Sequence, residues 1–128
     1  MVQKKRVLLA KIGLDGHDRA LKILAKMFGN AGMEVVYLGL FQSAESVAKT
    51  AIDEDVDIIG ISILDGGQTL IGKDLMDALE ERKGLDIKVV FGGVIPEKDI
   101  TELKEMGISA VFTPGSPIDD IISIFNEL

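Results

Sequence analysis

Arg6-Val7-Leu8-Leu9-Ala10-Lys11-Ile12, followed at once by Gly13-Leu14-Asp15-Gly16-His17-Asp18-Arg19, is the stretch that decides the fold. Its first half is apolar at consecutive positions, the pattern of a strand covered on both faces in a parallel sheet. Two glycines in the second half interrupt any regular period. Leu21, Leu24, Ala25 and Phe28 then recur at helical spacing, so the segment reads strand, loop, amphipathic helix.

Working outward, the same unit repeats. Apolar, β-branched runs stand at 34–38, 57–61, 87–91 and Ala110–Phe112, separated by amphipathic stretches and closed by a last one carrying Ile118, Ile121, Ile122 and Phe125. These helical stripes read as core rather than cofactor boxes. Gly32 and Gly107 fall where helices should stop, and Ser116 before Pro117 reads as an N-cap followed by a first-turn proline. Strict βα alternation with short connections predicts a flavodoxin-like α/β fold: five parallel strands in the order 2-1-3-4-5 with helices on both faces.

The 128 residues, 47% of them hydrophobic, fit one domain over residues 1–128. A net charge of −7 argues against nucleic acid as a partner, because phosphate backbones are bound by clustered Lys and Arg. No apolar run approaches the roughly 20 residues of a membrane span, and the first residues do not read as a removed leader. With no cysteine there is no disulfide framework or thiolate metal site, which agrees with a soluble cytoplasmic chain. A single histidine remains to be explained.

In a doubly wound sheet, ligands bind beyond the carboxyl ends of the strands, near the switch point between the first and third. That places attention on the loops at 13–19, 62–69, 92–96 and 113–117. The first carries His17, whose neutral imidazole can bind a metal through one ring nitrogen while Asp15 accepts a hydrogen bond from the other. The same spacing also suits a surface histidine near an incidental aspartate. Neither dinucleotide nor phosphate-loop glycine spacing is present. A phosphoacceptor receiver needs an aspartate ending the third strand and a lysine after the fifth, where this chain has Ser62 and Thr113-Pro114-Gly115-Ser116, while Asp57 lies at the strand's entry. Gly66-Gly67, Gly92-Gly93 and Gly115 remove side chains along one edge, for turns or for close approach of a ligand.

Taken together, these residues resemble the cobalamin-binding domain of the coenzyme-B12-dependent acyl-CoA mutases, the methylmalonyl-CoA mutase family above all. The resemblance runs from about Arg6 to Phe125. It rests on Lys11-x-Gly13-Leu14-Asp15-Gly16-His17-Asp18-Arg19, Tyr37-Leu38-Gly39-Leu40, Ser62-x-Leu64, Gly92-Gly93-Val94-Ile95-Pro96 and Pro114-Gly115-Ser116-Pro117. It implies His17 as the lower axial ligand to cobalt, Asp15 hydrogen-bonded to it, and Lys11 as the charged group behind Asp15. It implies that Ser62 hydrogen-bonds the benzimidazole of the nucleotide tail, that Leu64 packs on that ring, and that Gly92 and Gly93 line the tail's channel. Phe112, Gly115 and Ser116 would close its far side. Gly16, Asp18, Arg19, Ala20, Leu24, Gly66 and Val94 complete the implied cofactor contacts.

The cofactor implied is adenosylcobalamin, and the partner a large (β/α)8-barrel subunit that binds the acyl-CoA, without which the chain would show no mutase turnover. Ala20 departs from the glycine that usually completes Asp-x-His-x-x-Gly; Asp65 and Gln68 stand where the family has Ser and His, in the loop expected to face corrin and partner. Two other functions suit this domain: a corrinoid methyl carrier, usually preceded by a helical cap where this chain starts almost directly on a strand, and a free-standing cobalamin store or sensor.

Overall fold

A computed structural model describes residues 4–13, 16, 18–63 and 66–128. In chain order the elements are β1 (Arg6–Ile12), α1 (Arg19–Asn30), β2 (Glu34–Gln42), α2 (Ala44–Asp53), β3 (Ile58–Ile63), α3 (Gln68–Glu81), β4 (Lys88–Gly93), α4 (Glu97–Glu105), β5 (Ala110–Phe112) and α5 (Ile118–Glu127). All strand pairings are parallel and the sheet order is β2-β1-β3-β4-β5, the flavodoxin-like order expected from the alternation. No helix of the described residues is long and apolar enough to cross a membrane.

Strand alternation splits the core in two. Leu8, Ala10, Ile59, Ile61, Val89 and Phe91 point to the side covered by α2, α3 and α4, where they pack with Val47, Ala51, Leu75, Leu79 and Leu103. Val7, Leu9, Ile58 and Val90 point to the opposite side and pack with Leu21 and Phe28 of α1 and Phe125 of α5. At about 25 cal/mol for each square ångström of apolar area removed from water, these two layers are the main favourable term in folding.

The strands run further than their apolar runs suggest. β2 extends past residue 38 to Gln42, β3 past 61 to Ile63 and β4 past 91 to Gly93. Backbone pairing continues through Ser62↔Gly92 and Ile63↔Gly93, and a ladder needs amides and carbonyls rather than apolar side chains. Ser62, Gly92 and Gly93 are therefore strand-end residues rather than loop residues. Gly32 and Gly107 do follow helix ends, both at positive φ.

The start of α5 differs from expectation. Pro117, not Ser116, is the N-cap residue, and no side chain caps the helix. Gly115 at φ +92° turns the chain back, and the Ser116 hydroxyl donates to the Thr113 carbonyl at 2.9 Å, closing the turn.

Candidate functional site

Two rows of residues on the α1/α5 side of the sheet build the site. Leu9, Gly60, Val90 and Ala110 are neighbours across β1, β3, β4 and β5. One step nearer the carboxyl ends, Ser62, Gly92 and Phe112 form the next row, and Lys11 lies two residues beyond Leu9 on β1. Each row holds a glycine where a side chain would otherwise fill the layer. The result is a cleft of about 810 Å³ between α1 and α5, within the size range of small-molecule and cofactor sites.

A depth order follows from element direction, since α1 and α5 run opposite to the strands. Leu9, Phe28, Gly60, Val90 and Phe125 line the deep part. The ring centroids of Phe28 and Phe125 are 4.6 Å apart, and Phe112 stacks 6.3 Å from Phe125, so the inner wall is aromatic. Polar groups collect near the mouth: Lys11, Asp18, Arg19, Ser62, Thr113 and Ser116. Such a cleft suits a ligand with an apolar tip and a polar body.

Gly60 and Gly92 differ from Gly93 in what they do. A Cβ on Gly60 would meet Leu9 Cδ2 at 2.8 Å and Phe125 Cζ at 3.7 Å, so this glycine lets the floor and the aromatic wall come together. A Cβ on Gly92 would have only the Phe112 carbonyl near it, at 3.9 Å, and its bareness keeps the wall of the cleft open. On Gly93 (φ +143°) a Cβ would fall on the Ile63 carbonyl oxygen, so glycine there is required by the neighbouring backbone, whatever binds.

Lys11 is 2% exposed, and its Nζ lies 3.5 Å from the Ser62 carbonyl oxygen, tying the β1 and β3 ends of the cleft. Asp18 pairs with Lys22 one turn along α1 at 2.8 Å. The hydrogen bond from Lys22 holds the Asp18 carboxyl below its ordinary range, and the same bond raises Lys22.

Of the residues singled out from sequence, Lys11, Gly16, Asp18 and Ser62 line the cleft, as do Arg19, Ala20 and Leu24 on α1. Gly92, Gly93, Val94, Phe112, Gly115 and Ser116 complete the set across the cleft. Gly66 does not line it. Asp15, His17 and Leu64 lie outside the described residues. The apolar stripes read as core alone have a second role: Leu21 and Phe28 are buried, and with Leu24, Ile118, Ile121 and Phe125 they also face the cleft. Gly60 carried a usable signal, because glycine inside a strand such as Ile58-Ile59-Gly60-Ile61 marks close approach. The Phe125 wall carried none, because helical periodicity cannot tell a packed face from one that leaves a gap.

Residues 5–122 match the family model described as the B12 binding domain. The chain belongs to that family. It is 42% identical over 123 residues to the 2-hydroxyisobutanoyl-CoA mutase small subunit of Aquincola tertiaricarbonis, covering 96% of this chain and 90% of that one. It is 45% identical over 117 residues to methylmalonyl-CoA mutase of Rhizobium meliloti (strain 1021), but spans only 16% of that protein while 91% of this chain is matched. Among solved structures, a cobalamin-binding protein from Desulfitobacterium hafniense DCB-2 superposes with a TM-score of 0.82 at 21% identity. That match covers 98% of this chain and 59% of the other, and shares the fold.

A corrinoid tail ends in an aromatic base joined through a ribose to a phosphate. The apolar, aromatic interior and the hydroxyls and cations at the mouth match that order of chemistry, and Gly92 leaves the space. The residues fit the cofactor.

Proposed function

We infer that this chain is the cobalamin-carrying subunit of an adenosylcobalamin-dependent acyl-CoA mutase, acting in the cytoplasm with a separate large (β/α)8-barrel subunit that binds the acyl-CoA. The observation that carries this reading is the cleft of about 810 Å³ opening at the same strand ends as the loop containing position 17. Near end-to-end similarity to a mutase small subunit supports it, as does similarity to one part of a much longer mutase.

When bound, adenosylcobalamin supplies a carbon radical by homolysis of its cobalt–carbon bond. The chain's own residues hold and orient. In this reading His17 would hold cobalt through one ring nitrogen, Asp15 would accept the other imidazole N–H and so set the tautomer, and buried Lys11 would supply the charge behind Asp15. Ser62 donates its hydroxyl to the tail base, Leu64 packs on that base, and the walls from Leu24 to Phe112 keep water from it. The upper face of the corrin needs a partner to exclude water, which is the work assigned to the large subunit.

Titration of the purified chain with hydroxocobalamin or adenosylcobalamin tests the reading. The expected product is base-off, with nitrogen hyperfine structure in the Co(II) EPR spectrum that changes on isotopic labelling of histidine and disappears in His17→Ala. Acyl-CoA isomerisation should arise only after addition of the large subunit. Turnover by the chain alone would refute the subunit role, and methyl transfer to a methyltransferase in place of isomerisation would favour the carrier.

A further inference from the structure

The geometry points to Phe41 as a positioning residue that braces the 13–18 loop for cofactor binding, an inference that rests on the function just proposed. Phe41 is 61% exposed, yet it is held at φ 60°, a left-handed conformation that aromatic side chains rarely adopt. Strain of this kind persists only where the surroundings over-determine the backbone, and it gathers at functional sites. The surroundings here do so. The Gln42 side chain donates to the carbonyls of Leu38 (3.2 Å) and Leu40 (3.0 Å) and accepts from the Ser46 hydroxyl (3.0 Å), which itself belongs to the capping box at the start of α2.

The strained corner is aimed at the loop. The β1–β2 register slips twice as it is approached, so that Ile12 pairs with Gln42, and the Gln42 carbonyl accepts the Gly13 amide at 2.9 Å. The tip of the Phe41 ring, Cζ, lies 3.8 Å from where a side chain at Gly16 would begin. Gly16 lines the cleft and Phe41 does not. Phe41 thus meets the loop beside the cleft without reaching into it, and the end of β2 holds two described points of that loop, the Gly13 amide and Gly16, the residue next to position 17.

Phe41→Gly separates this role from a general structural one, because glycine accepts the backbone angle and the ring is largely in water. Its unfolding midpoint should equal or exceed that of the unsubstituted chain. Amide exchange at Gly13 and Gly16, followed by NMR in the cofactor-free protein, should quicken, and the Kd for hydroxocobalamin should rise about tenfold, the lower end of the effect of losing a support behind a metal ligand. Phe41→Tyr, which keeps the ring, should restore both. Unchanged exchange overturns the brace, and so does quickened exchange with an unchanged Kd. Weakened affinity for the large subunit with unchanged cobalamin binding would make Phe41 a subunit contact instead. If the unsubstituted chain takes up no cobalamin, the proposed function falls, and the exchange comparison alone then decides whether Phe41 holds the loop.

Discussion

The two sides of one sheet are finished differently. On the α2/α3/α4 side strand residues such as Leu8, Ile59, Ile61, Val89 and Phe91 share one buried cluster with helix side chains, and a side chain at Gly72 of α3 would run into Leu103 and Met106. On the α1/α5 side the same strands present Gly60 and Gly92, and the two helices touch through Phe28 and Phe125 at one end while lining a cleft toward the other. The first side holds the fold, and the second trades part of its packing for a place to insert a ligand. The difference lies in alternate residues of the same strands, so substitutions a single position apart should act on different properties.

Phe91→Ala, on the closed side, should have the largest effect on stability: about 3–5 kcal/mol, the usual loss for emptying a buried aromatic site. Chemical denaturation measures this, and the cobalamin affinity of the molecules that remain folded should not change. Gly92→Leu, one residue along, should reverse the pattern. Its side chain would project into open space in the cleft, so denaturation should show little change while the chain no longer takes up cobalamin in spectroscopic titration. Normal uptake by this variant would break the assignment of the two sides. Gly93 is the wrong position for that experiment, because any side chain there collides with the Ile63 backbone and unfolding would mask the result.

Asp15→Asn should weaken cobalamin binding by about 10–100-fold with the unfolding midpoint preserved, as outer partners of metal-bound histidines do. Equal Kd values for the two chains would remove Asp15 from the role.

The smallest effect is expected at the exposed Asp18–Lys22 pair. The Asp18 carboxyl titrates below its ordinary value of 3.8 because Lys22 hydrogen-bonds the ionised form. A folded value lower than the unfolded one means the contribution is complete above the ordinary value and is lost as pH falls through the folded one. In Lys22→Met the Asp18 titration, followed by carboxyl NMR, should move back up toward 3.8, with little change in stability, since exposed pairs contribute little.

Much of this was legible before the fold was known. Consecutive apolar runs and the glycines ending α1 and α4 define the element order, because period and chain reversal are local properties. The ordered motifs from Lys11 to Pro117 pointed to the cleft's mouth, and the structure brings Lys11, Ser62, Gly92, Phe112 and Ser116 together there. The Ser116 cap was misread because a hydroxyl beside a proline can close the turn behind it as easily as cap the helix ahead, and Gly115 decides between them.

The amino-acid sequence by itself determined the alternation of strands and helices, the edge at which a ligand would sit, and the single imidazole available there. Tertiary structure alone decided that the apolar faces of α1 and α5 meet at Phe28 and Phe125 but leave a cleft toward the carboxyl ends of the strands, that Gly60 and Gly92 share one side of the sheet, and that a strained Phe41 reaches Gly16 from another strand. The physical reason is range. Periodicity and turn chemistry act between residues a few positions apart, whereas a cleft is the absence of contact between elements separated by most of the chain, and no local pattern encodes an absence.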